Sequence, residues 1–201
     1  WILVSIFGAI PFYISGAIPS FIDSLFETIS GFTTTGASIL TEIETLPKGI
    51  LFWRSFTHWI GGMGVLVFVM AIVPLAGDRS IHVMRAEVPG PTMEKLVPRI
   101  KGTAKLLYSI YILLTVVEVI FLVAGKMPVF DSLVHAFGTA GTGGFSIMNA
   151  SIAAYGSPYL EYVIAIFMML FGVNFTIFFL LLAREFKLVI KNEELFWYLS
   201  I

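Results

Sequence analysis

The sequence predicts an all-α membrane protein made of two tandem repeats, each a helix, a re-entrant pore loop and a second helix. Three observations predict it. The 201 residues are 58% hydrophobic and only 12% charged, with a mean hydropathy of +0.94, whereas a soluble domain is about 45–50% apolar and about 25% charged. Four long apolar stretches punctuate the chain. An internal repeat at a spacing of 108 residues pairs the segments between them.

The apolar stretches are Trp1–Ile18, Ile50–Leu75, Leu106–Ala124 and Tyr159–Ala183. Each approaches or exceeds the about 18–20 residues that cross about 30 Å of hydrocarbon at about 1.5 Å per residue. Lipid offers no partner to backbone polar groups, so an open chain crosses it as helix. The chain opens at Trp1 inside an apolar run, without Met or a basic leader, and is expected to be a fragment of a longer protein. Nine of the twelve basic residues follow the second or the fourth span. They are Arg79, Arg85, Lys95, Arg99, Lys101, Lys105, Arg184, Lys187 and Lys191. With alternating spans these share one side of the membrane, which the positive-inside rule makes cytoplasmic. Lys48, Arg54 and Lys126 fall towards the outer face.

The resulting division is a first repeat at 1-76, a basic cytoplasmic connection at 77-105, a second repeat at 106-183 and a cytoplasmic segment at 184-201. A formal net charge of −1 gives no global basic field for nucleic acid. The absence of cysteine removes disulfides and thiolate metal sites.

Between the spans of each repeat, a short apolar segment runs into small and hydroxylated residues. Such segments are often re-entrant. Shifting the chain by 108 residues lays Ile22–Ile39 over Phe130–Ile147 without a gap. Asp23/Asp131, Ser24/Ser132, Leu25/Leu133, Thr34/Thr142, Gly36/Gly144, Ser38/Ser146 and Ile39/Ile147 are identical. Asp, Thr, Gly and Ser matches in one register set this apart from chance similarity of apolar runs. Ser20 and Asp23 have capping-box spacing, and Pro128 and Asp131 hold the equivalent places. Acids at a helix start suit its positive end, which leaves the negative end facing the glycine strand. That polarity favours a cation and opposes an anion.

A cation passing such loops must exchange its water for oxygens, which backbone carbonyls supply. Glycine leaves the lumen free of side chains and admits conformations barred to other residues. The candidate ion-binding residues are therefore Thr34, Thr35, Gly36, Thr142, Gly143 and Gly144, supported by Thr33, Ser38 and Ser146. The ion is cargo; neither a resident cofactor nor a transition-metal site is expected, since His58, His82 and His135 lack metal-ligand spacing. An ion pair between Arg54 and Glu27, bracing the first pore helix, is a further expectation. Glu118 inside the third span reads either as a functional acid or as a water-facing or hydrogen-bonded structural group. Asn174 reads as a cavity-lining group or an interhelical hydrogen bond, and Gly61-Gly62-Met63-Gly64 as a close-packing surface. No phosphate loop, catalytic carboxylate pair or nucleophile–base pattern is present, so no enzyme is expected.

SGFTTTGAS, FWRSFTHWIGGMGVLVF and HAFGTAGTGGFS resemble the first two repeats of the Trk/Ktr/HKT superfamily of potassium transporters, in its TrkH-type membrane subunit. The resemblance covers essentially the whole chain. It implies four repeats around a pseudo-fourfold axis, of which this chain carries half. It also implies one filter glycine per repeat, a homodimer in the inner (plasma) membrane, and a cytoplasmic nucleotide-binding regulatory subunit of TrkA/KtrA type. Plant relatives with serine at the first filter glycine carry sodium; Gly36 points to potassium. The resemblance thus implies potassium uptake, passive or gradient-coupled. The alternatives are a sodium-permeable or unselective relative and a non-conducting scaffold subunit. The connection at 77-105 fits a regulatory-subunit contact and equally a solvated positive-inside loop.

Overall fold

The computed structural model describes residues 1–64 and 100–200, which are helical or irregular with no strand among them. Most of the predicted basic connection, the inner end of the second span and His82 lie outside the described residues.

Helix α1 (Ile2–Ile14) ends earlier than the predicted span Trp1–Ile18. The Ser15 hydroxyl donates to the Phe12 carbonyl at 3.1 Å, and Gly16 takes a left-handed φ of +72°. A side-chain bond to the last turn followed by a positive φ stops a helix. Helix α2 (Phe21–Phe32) starts as the capping signal requires: Ser20 is extended and its hydroxyl accepts from the Asp23 N–H. Helix α3 (Lys48–Gly62) completes the first unit.

Helix α4 (Ile100–Ala124) begins before the predicted apolar stretch, so the last residues of the 77-105 connection form its first turns. Its 25 residues extend about 37 Å, enough to cross a bilayer. Helix α5 (Val129–Ala140) repeats α2, with Pro128 at the capping position. A 3-10 turn, Ser151–Tyr155, leads to helix α6 (Pro158–Gly172). The Tyr155 hydroxyl there donates to Asp131 Oδ2 at 2.8 Å and holds the start of α5.

The predicted fourth span, Tyr159–Ala183, is interrupted. Helix α6 stops at Gly172, Val173 is extended (φ −70°, ψ 139°), and helix α7 (Phe175–Leu182) follows. The chain then turns back through α8 (Phe186–Ile190) and α9 (Glu193–Ser200). Contacts with α9 meet the break from outside. The Asn174 amide donates to Glu194 at 3.0 Å, the Tyr198 hydroxyl donates to the Met169 carbonyl at 2.8 Å, and Gly172 lies against that same tyrosine. Helix α9 is thus packed against the second unit.

The two units have the same internal packing: α1, α2 and α3 contact one another, as do α4, α5 and α6. They are joined where α3 lies on α5. The larger core surrounds Tyr111, Leu122, Ala136, Ala140 and Phe167, while Leu113, Val116, Ile120 and Phe121 of α4 are exposed. Apolar side chains on the outside suit a lipid solvent.

The glycines of α3 permit the seam. A side chain at Gly61 would strike the Phe32 carbonyl. One at Gly62 would meet the Tyr111 hydroxyl, and the Ala140 carbonyl at 2.9 Å. Small residues let helices approach this closely. Gly61→Ala and Gly62→Ala are each expected to cost about 1–3 kcal/mol through overpacking, measured by thermal unfolding of the full-length protein in detergent. Gly49, with nothing near its Cβ position, is the control: Gly49→Ala leaves stability equal or raises it by up to about 1 kcal/mol.

Candidate functional site

Each short helix runs into an irregular segment of the same design, a strand only in the sense of a single stretch of chain that joins no sheet. After α2, Thr34 has φ +55° and Gly36 φ +78°; after α5, Thr142 has φ +55° and Gly144 φ +76°. The residues between them, Thr35 and Gly143, are not left-handed. Over these three residues the 108-residue repeat is therefore also a repeat of backbone handedness. A left-handed threonine costs about 1–2 kcal/mol, and paying it twice in one register marks a conformation the surroundings enforce.

Hydrogen bonds tie each strand to the end of its own short helix. The Thr34 N–H donates to the Gly31 carbonyl at 3.0 Å, as the Thr142 N–H does to the Thr139 carbonyl at 2.7 Å. The Thr33 hydroxyl donates to the Ile29 carbonyl at 2.7 Å, so at its 2.8 Å contact with Thr35 the Thr35 hydroxyl is the donor. Ser38 and Ser146 also act alike. The Ser38 hydroxyl donates to Glu27 Oε1 at 2.9 Å and accepts from the Leu40 N–H at 3.1 Å. The Ser146 hydroxyl meets His135 Nε2 at 3.0 Å and accepts from the Met148 N–H at 3.0 Å. His135 Nδ1 lies 2.8 Å from the Asp131 carbonyl, which only accepts, so Nδ1 carries the proton. In the neutral ring Nε2 is then the acceptor for Ser146.

The expected ion pair is present. Arg54 Nε donates to Glu27 Oε1 at 2.6 Å, with both side chains buried. Glu27 Oε2 also accepts from the Ile39 N–H at 3.1 Å. Sequence reasoning missed the rest of the arginine's surroundings. Its Nη1 donates to the Ser146 carbonyl at 2.9 Å, and its guanidinium lies 3.6 Å from the Phe145 ring centre. His58, one turn along α3, stacks on the same ring with centroids 3.7 Å apart and planes 6° apart. Two groups this close to one ring centre would collide on a single face, so Phe145 is held between Arg54 and His58. The spacing of Arg54 and His58 in FWRSFTH was the available signal. Nothing local in the sequence tied it to a residue 91 positions downstream of Arg54.

The strands also meet directly. A side chain on Gly36 would strike the Gly143 carbonyl, while the Cβ direction of Gly144 is open. A cavity of about 520 Å³ lies beside Thr33, Gly61, Gly64, Val173, Asn174 and Glu194. Asn174 therefore both lines the cavity and bonds another helix. Glu118 is fully buried, not water-facing, and its carboxyl oxygens have no hydrogen-bond partner among the described residues. Thr139 lies near it but gives its hydroxyl to the His135 carbonyl. No cluster of His, Asp and Glu suited to a metal occurs among the described residues.

Comparison with known proteins places these features in a lineage. The family model for TrkH, a cation transport protein, matches residues 1–197. The chain is 40% identical to the Trk system potassium uptake protein TrkH of Salmonella typhimurium and 36% identical to the Trk system potassium uptake protein TrkG of Escherichia coli K12. Each alignment covers 100% of this chain and 42% of the relative. Among solved structures it is similar to the potassium transporter TrkH from Vibrio parahaemolyticus, with a TM-score of 0.72 and 34% identity over 90% of this chain and 36% of that one. The chain spans less than half the length of these relatives.

Removing Arg54 or Glu27 leaves the other buried without its counter-charge. Arg54→Gln and Glu27→Gln are each expected to destabilise the full-length protein by about 3–5 kcal/mol. The double variant should cost clearly less than the sum of the two, read from unfolding in detergent. Additive losses would show that the two side chains do not act as a pair.

Proposed function

The chain belongs to the TrkH family of cation transport proteins, and from that premise we propose that it supplies two filter strands of a potassium uptake transporter. The family is one of membrane transporters, not enzymes. The observation that carries the proposal is the matched alternation of backbone handedness at Thr34–Gly36 and Thr142–Gly144. In a regular strand successive carbonyls point to opposite sides. Alternating the sign of φ turns them towards the same side, where they can replace an ion's water. Thr34, Thr35, Gly36, Thr142, Gly143 and Gly144 are the proposed ion-binding residues, with Thr33, Ser38 and Ser146 holding the strands from behind.

Electrostatics agrees with a cation. Helices α2 and α5 direct their negative ends at the strands, and the cavity beside Thr33 has Glu194 as its charged lining residue. The relatives bear the name of potassium uptake proteins. Gly36, where sodium-carrying plant relatives have serine, favours potassium over the sodium-permeable reading.

The remaining strands of the ring are proposed to come from further repeats of the full-length protein, one of them in the open space beside Gly144. The units at 1-76 and 106-183 are proposed to sit in the inner membrane, with 77-105 on the cytoplasmic side. A homodimer and a nucleotide-binding regulatory subunit of TrkA/KtrA type complete the proposed assembly.

Expression of the full-length protein in a bacterium lacking potassium uptake tests the reading. Growth at low potassium should be restored by the parent. Gly36→Ser and Gly144→Ser should each abolish that growth or make it sodium-sensitive. Membrane-inserted parent that gives no rescue alongside its regulatory partner would favour the scaffold or sodium reading.

A further inference from the structure

His58 touches the second strand at every other residue. Its backbone carbonyl lies 2.7 Å from the Cβ position of Gly141, its Nδ1 lies 2.7 Å from the Cβ position of Gly143, and its ring stacks on Phe145. Residues 141, 143 and 145 therefore form one face of the strand, and α3 backs that face. Gly144, between two of them, has an open Cβ direction.

Contact continues from there. The carbonyl of Gly143 lies where a Gly36 side chain would begin, and its carbonyl carbon is 3.1 Å from that point. Gly143 is thus packed between the imidazole of one helix and the glycine of the neighbouring strand. No side chain of its own separates the two. His58 is fully buried, and protein interiors at this density transmit displacement because no void absorbs it.

We propose that His58 is a selectivity-positioning residue: its ring sets where the Gly143 carbonyl stands and, through it, the spacing between the strands that carry Gly143 and Gly36. The proposal rests on the potassium-filter reading and deepens it by naming a residue that touches no ion yet fixes where the oxygens lie. Arg54 holds the other face of Phe145, so the loss of His58 frees one side of the clamp only. Carbonyls released on that side gain room to close around a smaller ion.

The test uses the full-length protein in potassium-uptake-deficient cells. Rubidium uptake is measured as a function of competing sodium and of competing potassium. His58→Ala is expected to lower the potassium-over-sodium ratio roughly tenfold, equivalent to about 1.4 kcal/mol of discrimination. Phe145→Leu should shift it in the same direction. His58→Gln, closer in size, provides the measurement if the alanine variant fails to reach the membrane. Leu160→Ala, a core truncation packed against Gly125, controls for lost stability and should keep the parental ratio. An unchanged ratio in His58→Ala or His58→Gln overturns the proposal, as does an equal shift in Leu160→Ala. A parent with no potassium preference overturns the filter reading itself, a result visible before any variant is compared.

Discussion

A positive charge buried at the seam between two repeats is the constraint on which the rest of this structure depends. Arg54 cannot reach water, and an isolated guanidinium in such a place is untenable. Its requirements are met from three directions: the Glu27 carboxylate on the first pore helix, the Ser146 carbonyl on the second strand, and the face of Phe145. Two of these partners are neighbours on the second strand, the third lies on α2, and Arg54 itself is on α3. Satisfying one side chain therefore fixes the first pore helix, the second strand and α3 relative to one another.

The same charge explains where the two repeats diverge. Glu27 and His135 hold equivalent positions, each bonded to the serine behind its strand. The residue equivalent to Arg54 is Tyr162, which is exposed. With no cation to neutralise, the second unit holds its serine with a neutral imidazole whose proton goes to the Asp131 carbonyl. A carboxylate there would be a buried charge with no partner. The architecture repeats, and the chemistry behind each strand follows the local charge balance.

Close approach depends on glycine at many positions along the chain. Gly61 and Gly62 let α3 lie against the ends of α2 and α5, Gly36 lets the strands touch, and Gly143 admits the His58 ring. Several of the tightest contacts lie at the strands and at the α2–α3 packing of Gly31 on Thr57, while many large apolar side chains face outward. Rigidity at the site and an apolar exterior follow from one distribution of small and large residues.

Much of this was legible in the sequence. Composition and span length indicated membrane helices, and the 108-residue register located both strands. The S-x-x-D spacing marked the start of α2, and charge complementarity suggested Arg54 with Glu27. These signals are local or periodic, and each rests on what a backbone must do in lipid. Four features were not legible: the early end of α1, the break at Val173–Asn174, the burial of Glu118 and the clamp on Phe145. The α6–α7 break is held by Glu194 and Tyr198, some twenty residues or more further along the chain. The clamp joins residues of different repeats. The sequence by itself determined that the chain is helical, where its two repeats lie and how their loops correspond. Only the tertiary structure decided which side chains stand behind each strand, because that depends on how helices far apart in the chain pack together.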